Sequence, residues 1–589
     1  MELYKRFKRI IYHLKEIMAQ IDWQKIFKIS DFWAVKVAKE GIQRAKEKNK
    51  KLITVRCANT PTGVLHIGNA NDVIRCYFIA KCIEILGHEV RVVFTSDDRD
   101  PIRGFPSVIC DKEGNLVEFP EKLRREYEQK YDAQPVCMIP DPFKCHSSWS
   151  EHFLSVYFKE LEKLGVTTSI RFEYYSPNIL YFQGEWNSYV EKVLKEKEKV
   201  KEIYKEFKQH VREYAFSPIC ENCGKIGTTH VTEYDEKSKR VKYICEKRHL
   251  KKKTVEGCGY KGYCSVRRGK VDWYIEWAID WVYFDADIEP MGKDHWISSY
   301  RISPKFLKEL FDKEAPIPVP YEFFTVNGQK MSGSKGNIYN LTEFLKMLEP
   351  EIVLYLYTKR PMMQRDIELK NLNLLVDEWD MLESKVFRTI DAITKNEIAE
   401  EELKGREASK RGYASPEELV IYYLCMHGNL PKEKPARIPY NFAAIIGQLL
   451  KDDGKIKNVL VRTGHISGSI SYEDFRRVLG RIKKAAYWAR KYGPEMLKIK
   501  IIDNPSVKFS GKDRKIVAEI INELENIEDW VPDNIQTKIH LIISSKSKPR
   551  EFYPKIYRAL LGKDKGPKLG TLLSVIGKNK TVKLLNKLI

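Results

Sequence analysis

The stretch Val55–Val73, VRCANTPTGVLHIGNANDV, constrains this chain more than any other. A short apolar run (Leu52, Ile53, Val55) meets a Pro-Thr-Gly turn, then His66-Ile67-Gly68-Asn69, and then an apolar helical pattern begins. The pattern is a strand, a tight turn and a helix N-terminus. Such a geometry suits a phosphate. Gly63 and Gly68 let the backbone come close, and the free N–H groups of the helix start face an anion. Alone, a turn of this kind is as readily a packing device. A second stretch, Lys330-Met331-Ser332-Gly333-Ser334-Lys335-Gly336-Asn337, sets lysines and serines among glycines and is again suited to phosphates.

The surroundings of the first stretch alternate. A strand at Leu52–Val55, a helix over Asp72–Leu86 ending at Gly87 and a strand over Glu89–Thr95 make a βαβ unit, hence a parallel sheet of Rossmann type. Ligands of such sheets lie at the carboxyl ends of the strands. Ser96-Asp97-Asp98-Arg99-Asp100 follows one such end, and carboxylates there favour a cationic ligand, a substrate lysine being one candidate. The alternation is interrupted from Asp141 to about Gly269 and resumes near Val271. After Leu341 helical periodicity dominates, broken near Gly405–Pro416 and Gly428–Pro439. Met1–Lys28 reads as one amphipathic helix and Asp31–Lys48 as a second, and the charge-dense Tyr189–Glu213 reads as a solvated helix. The expected fold is α/β: a Rossmann-type parallel-sheet domain with a zinc-bearing insertion, followed by an all-α C-terminal half. The expected boundaries are an N-terminal helical extension over 1–30, the two Rossmann halves over 31–140 and 270–340, the insertion over 141–269, and two helical regions over 341–404 and 405–589.

Lys plus Arg number 103 against 81 Asp plus Glu, a formal charge of +22. That balance points to a polyanion, with nucleic acid first. Twelve cysteines in 589 residues are no disulfide framework; several stand alone in apolar runs and others cluster at ligand spacing, which fits metal in a reducing compartment. No signal peptide and no apolar run long enough to span a bilayer is read, so the expected location is the cytoplasm, without membrane contact.

Cys220-x2-Cys223, then Cys245, then Cys258-Gly, has the spacing of a tetrahedral zinc site: two thiols in a tight knuckle, closed by two more on a distant turn. His249 and Cys264 are rival fourth ligands; Cys258, directly before a glycine in a knuckle-like turn, is preferred. Asp141, Cys145, His146 and His152 form a second candidate. Spacing alone leaves that one open between a hydrogen-bonded turn and a metal site.

The two phosphate stretches resemble the HIGH and KMSKS boxes of class I aminoacyl-tRNA synthetases, and the whole pattern resembles the class I lysyl-tRNA synthetases of archaea and some bacteria. The residues that carry the likeness are HIGN at His66–Asn69, Asp97-Asp98-Arg99-Asp100-Pro-Ile-Arg103-Gly-Phe-Pro106, Asp141-Pro-Phe-Lys-Cys145-His146 with His152, Trp273-Tyr-Ile-Glu276-Trp277-Ala-Ile-Asp-Trp281, Glu289-Pro-Met-Gly292-Lys293-Asp294-His295, KMSGSKGN, Asp377-Glu378-Trp-Asp380, Arg437-Ile-Pro-Tyr440 and Gly566-Pro567-Lys-Leu-Gly570. Gly104, Ala278 and Asp280 depart from the family's usual Lys, Pro and Arg, and Asp280 puts the charge pattern near the substrate pocket in question.

The resemblance implies ATP-dependent attachment of L-lysine to tRNA(Lys) through a lysyl-adenylate, with ATP, Mg2+ and two structural Zn2+ sites. It implies catalytic roles for His66, Asn69, Lys330, Ser332, Ser334 and Lys335. ATP is expected at Thr60, Pro61, Gly63, His66, Gly68, Asn69, Lys330, Met331 and Lys335. The amino acid is expected at Thr60, Asp98, Trp273, Trp277, Asp294, His295 and Tyr321; the tryptophans suit the walls of its aliphatic stem, and a carboxylate such as Asp98 suits its ammonium, since a buried charge needs a partner. The resemblance makes the two Rossmann halves the catalytic domain, 341–404 a stem-contact region and the all-α C-terminal half over 405–589 the anticodon-binding domain. It also implies zinc at Asp141, Cys145, His146 and His152.

Overall fold

The computed structural model describes residues 21–210, 212–249, 254–331, 336–507 and 509–589, without the side chain of His249. Residue contacts divide the chain into two compact units. The first comprises the residues up to Phe344, Val353–Asp366 and Thr389–Leu430; the second comprises Leu345–Ile352, Ile367–Arg388 and Pro431–Ile589.

The first unit is built on a parallel sheet of β1 (Leu52–Asn59), β2 (Glu89–Ser96), β3 (Phe172–Tyr175), β4 (Ile288–Gly292) and β5 (Ile317–Tyr321). Their order in the sheet is β5-β4-β1-β2-β3. β1 runs in register with β2 from Leu52 opposite Glu89 to Asn59 opposite Ser96, and Val55 lies opposite Ile288 of β4. The chain therefore reverses its direction of growth at β1, and the crevice at the carboxyl ends of β1 and β4 is the topological switch point.

The helices of this unit include α1 (Trp23–Ile29), α2 (Trp33–Glu47), α3 (Ala70–Ile85), α4 (Trp149–Lys163), α5 (Pro177–Gln183) and α6 (Trp273–Phe284). Asp22 caps α1 through its side chain, so a new helix starts at Trp23; the reading of Met1–Gln20 lies outside the described residues. Successive residues of a strand point to opposite faces. Arg56 of β1 meets α6 through Asp280, and Cys57 meets Cys76 of α3, so helices cover both faces of the sheet. That explains why β1 and α3 are buried almost throughout.

β1 is longer than expected. The apolar run marks a strand over Leu52–Val55, yet it continues to Asn59. Arg56 is fully buried, and its guanidinium donates to Asp280, to Glu289 at 2.7 Å and to Thr95 Oγ1 at 2.6 Å. A buried charge persists where it is paired and hydrogen-bonded. Asp280 thus belongs to an internal ion cluster rather than to a cavity wall.

Within the expected insertion of 141–269, β3 joins the parallel sheet beside β2, so the added elements lie between β3 and β4. Tyr189–Glu213 is not one helix; it breaks at Glu196 into Asn187–Lys195 and Lys197–Glu206. Each half buries an apolar stripe, Val190, Val193 and Leu194 in one and Val200, Ile203 and Tyr204 in the other, within the core that also holds Trp277 and Phe306. The high charge content masks this stripe in the sequence. An antiparallel sheet of Thr229–Asp235, Arg240–Cys245 and Lys261–Ser265 follows, and Gly269–Val271 pairs with Phe216–Pro218.

The second unit is helical among its described residues. Two of the quoted motif segments supply its ionic interior: Arg437 donates to Glu383 at 2.9 and 3.0 Å and to Glu351 at 3.0 Å, and Arg481 grips Asp380 through two nitrogens. Further on, the helix Leu569–Ile576 lies so close to Pro532–Lys546 that a Cβ on Gly570 would sit 2.1 Å from the Pro532 carbonyl oxygen. Only glycine permits that approach. No helix among the described residues is long and apolar enough to cross a membrane.

Candidate active site

A cavity of about 410 Å3 occupies the switch point. One side is the turn and helix start after β1, with Asn59, Thr60, His66, Gly68, Asn69 and Asp72; another is Lys330 and Met331. The segments quoted from the second half of the sheet bring Trp273, Trp277, Glu289, Asp294, His295 and Tyr321, and the end of β2 brings Asp97 and Asp100. The two phosphate-type stretches, more than 250 residues apart in sequence, line one cavity.

Their convergence is built from backbone. Ile67 N–H donates to the Tyr339 carbonyl at 2.9 Å, and the Tyr357 hydroxyl donates to the Ile67 carbonyl at 2.8 Å. A Cβ on Gly68 would lie 2.7 Å from the His66 ring and 3.3 Å from Met331, so glycine lets the imidazole and the second stretch close over the helix start. Gly68 N–H donates to His66 Nδ1 at 3.0 Å, which makes Nδ1 the acceptor and leaves the ring proton on Nε2. Desolvation, reinforced by the charge of Lys330, pulls the His66 pKa down to about 4. The ring is a neutral donor at pH 7. Asn69 turns its carbonyl oxygen back to His66 N–H at 3.0 Å, and Lys330 rests its ammonium 3.5 Å above the Phe323 ring.

The cavity wall also carries acidic groups. Tyr321 donates its hydroxyl to Asp72 Oδ1 at 2.5 Å, and Asn59 donates to Oδ2 at 3.3 Å. Burial nevertheless pushes the Asp72 pKa up to about 8. Asp97 Oδ2 accepts from Thr60 at 3.3 Å, while Oδ1 is buried with no hydrogen-bond partner among the described residues. Glu289 Oε1 accepts from Arg56 and from the Trp277 indole, the latter at 2.9 Å. Trp273 and Trp277 stack with ring centres 5.1 Å apart, and His295 lies 5.6 Å from Trp273.

Three of the expected site residues do not line this cavity. Asp98 does not line the cavity: its carboxylate accepts from Ser176 Oγ and from Asn178 N–H at 3.0 Å, capping α5. Neighbouring carboxylates at a strand end point different ways, and Asp97 is the one that faces in. Pro61 is buried and lines neither this cavity nor its neighbour. Gly63 lines the neighbouring cavity rather than this one. Ser332, Ser334 and Lys335 lie outside the described residues. The cavity also takes in Asp72 and Glu289, which the sequence reading did not single out, and Asp97, which it named only within the carboxylate run after β2; the signals were one helical turn beyond HIGN, the first residue of a quoted segment, and one residue before Asp98.

Two clusters have the donors of a metal site. Cys220, Cys223, Cys245 and Cys258 bring their sulfurs within 4.8 Å of one another, as do the ligand atoms of Asp141, Cys145, His146 and His152. Cys264 is not in the first cluster; its thiol points to the Arg268 carbonyl at 3.6 Å. In the second, Cys145 Sγ lies 3.2 Å from His146 Nδ1 and 3.3 Å from His152 Nδ1. Buried His152 is held by its other nitrogen, 2.9 Å from the Cys110 carbonyl, which fixes Nδ1 as the inward-facing atom. Both donor sets fit zinc: a four-thiolate set and a mixed nitrogen, sulfur and carboxylate set.

The family described as class I tRNA synthetases (K) matches residues 31–409, and the anticodon-binding domain family matches 491–589. The chain belongs to the class I tRNA synthetases of this type. A lysine–tRNA ligase from Natronomonas pharaonis is 32% identical over 563 residues, covering 94% of this chain and 97% of that one. Another from Haloarcula marismortui is 31% identical over 548 residues, covering 92% and 94%. A solved glutamate tRNA ligase from Elizabethkingia meningosepticum, in complex with its amino acid, covers 91% of this chain and 98% of its own at 14% identity and a TM-score of 0.36. In this class I synthetase the switch-point cavity lies wholly within the first unit, and the anticodon-binding match wholly within the second.

Proposed function

We propose that this class I synthetase attaches L-lysine to tRNA(Lys) through a lysyl-adenylate, releasing AMP and diphosphate, and that it does so in the cytoplasm. Relatives about 30% identical across the chain are named lysine–tRNA ligases. The observation that carries the reading is the polarity of the switch-point cavity: a neutral histidine donor and Lys330 on the phosphate side, and Asp72, Asp97, Asp100, Glu289 and Asp294 elsewhere on its wall.

In the first step the lysine carboxylate attacks the α-phosphate of ATP, which arrives with Mg2+, and diphosphate leaves. His66 donates from Nε2 to phosphate oxygens as charge moves toward the leaving group, and Asn69 supplies a neutral polar contact beside it. Lys330 leaves Phe323 and clamps the phosphates together with Lys335, and Ser332 and Ser334 add hydroxyl donors from the same loop. Trp273 and Trp277 wall the aliphatic stem of lysine, with His295 at the mouth. The orphaned Asp97 Oδ1 receives an ammonium, because a buried carboxylate oxygen without a partner is costly until a cation fills the place. The same acidity disfavours glutamate.

Zinc held by the four cysteines and by Asp141, Cys145, His146 and His152 supplies structural cross-links and no chemistry in the reaction. The tRNA meets the anticodon-binding domain in the second unit, and with a formal charge of +22 its binding weakens as salt rises.

The deciding measurement is amino-acid-dependent exchange of pyrophosphate into ATP. Lysine stimulates it and glutamate does not. Stimulation by arginine in place of lysine reassigns the substrate, and stimulation by no amino acid removes the synthetase activity.

A further inference from the structure

A second cavity, of about 700 Å3, opens beside the first and shares Thr60, His66, Asn69 and Asp100 with it. The remaining walls differ. Lys330 lines only the first; Arg103 and Arg124 line only the second, among the apolar surfaces of Val64, Phe105, Pro106 and Ile338. Arg124 lies 3.6 Å from Glu128. Arg103 is exposed and makes no hydrogen bond or ion pair among the described residues. Its loop is nevertheless fixed at both ends. On one side Ile102 exchanges backbone hydrogen bonds with Gln134 and Ala133 at 2.9 and 3.1 Å; on the other, buried Phe105 packs edge-on against Trp149 at 5.1 Å and Tyr127 at 5.6 Å. A free guanidinium is thus presented on a rigid platform next to the catalytic histidine.

Apolar walls joined to a free guanidinium suit a nucleotide: the base lies on the walls and the phosphate meets the cation. Two phosphates of the reaction compete for that cation, the departing diphosphate and the last phosphodiester of the tRNA. Lys330 places the triphosphate in the first cavity. We propose that the second cavity receives the 3′-terminal nucleotide of the tRNA, with Arg103 on its phosphodiester; this rests on the synthetase reading above. The shared wall then brings the terminal ribose hydroxyl to the adenylate. Its oxygen bonds to the lysyl carbonyl carbon, the bond from that carbon to the phosphate oxygen breaks, AMP leaves with the electron pair, and the hydroxyl proton passes to the AMP phosphate or to solvent.

The test separates the two half-reactions. In Arg103→Ala, lysine-dependent pyrophosphate exchange stays within about twofold of wild type, while single-turnover transfer from preformed lysyl-adenylate to tRNA slows about tenfold or more, and Arg103→Lys recovers part of the transfer rate. Exchange that falls as far as transfer assigns Arg103 to the diphosphate and overturns the proposal; so does transfer that stays at the wild-type rate. Lack of lysine-dependent exchange in the wild-type protein instead strikes the synthetase reading, so the two failures are distinct.

Discussion

The ammonium of Lys270 lies 2.7 Å from Asp100 Oδ1 and 2.5 Å from Glu276 Oε1. It carries a buried positive charge from the last strand of the insertion into the acidic end of β2. The Glu276 carboxylate also accepts from the Tyr181 hydroxyl at 2.6 Å, and Tyr181 in turn accepts from Val271 N–H at 3.1 Å. Burial raises the Asp97 pKa, and the Lys270 charge holds it down. Replacing Lys270 by Met leaves Asp100 and Glu276 unpaired and costs about 3–5 kcal/mol in denaturant unfolding. It also lets the Asp97 pKa climb, so the acidic limb of lysine-stimulated exchange moves to higher pH by about one unit or more. An unmoved limb in a folded variant means that Lys270 supports the fold and has no hold on Asp97.

Arg56 makes a second, separate prediction. Its guanidinium neutralises Asp280 and Glu289 inside the sheet-helix layer. Arg56→Met strands both carboxylates and destabilises the chain by about 3–5 kcal/mol. Adding Asp280→Leu removes one of the stranded charges, so the double variant is more stable than Arg56→Met alone. Urea midpoints of the wild type, both singles and the double close the cycle. Additive losses show that the pair is uncoupled.

Asp72 makes the switch-point cavity sensitive to pH. Its folded-state pKa of about 8 stands above the ordinary carboxylate value near 4. Between those values the folded protein keeps a proton that the unfolded chain has lost. Its stabilising contribution is therefore full below about pH 4 and is lost as pH rises toward 8. Asp72→Asn flattens that part of the stability profile. An ammonium bound beside Asp72 favours its ionised form, so lysine binding at pH 7 releases up to about one proton. Calorimetry in two buffers of different ionisation enthalpy measures the release. Tight lysine binding with no release places both ammonium groups away from Asp72.

What was legible in the sequence follows from the range of the interactions. The strand, turn and helix of Val55–Val73 are local patterns, and β1 and α3 carry them. The cysteine knuckle is a spacing, and Cys258 rather than Cys264 stands with the other three thiols. The extension of β1 through Arg56 was not legible, because the partner that makes a buried arginine tolerable lies 224 residues away. Nor was the choice between Asp97 and Asp98, which turns on which of two adjacent side chains the start of α5 recruits as its cap. The break at Glu196 was hidden because charged residues surround a narrow apolar stripe.

The two metal clusters are independent in position and in chemistry, and metal content separates them. The four thiols give one site; Asp141, Cys145, His146 and His152 give another. Purified protein is expected to carry about two zinc ions per chain. Cys258→Ser lowers the count by about one and leaves the other site filled, whereas His152→Ala does the converse. Cobalt substitution adds a spectral distinction: the four-sulfur site gives strong thiolate charge-transfer absorption, lost in Cys258→Ser, and the mixed site gives a weaker band that survives there. Loss of the His152 site also removes the tie to the Cys110 carbonyl. Cys110 ends the strand that pairs with Leu116–Glu118; Ile109 on that strand and Phe119, just past its partner, share a buried core with Trp149 at the start of α4. Stability should therefore fall for His152→Ala within that core, while the cysteine knuckle keeps its metal. A single zinc per chain, removed by Cys258→Ser and untouched by His152→Ala, shows that the second cluster is only a hydrogen-bonded turn.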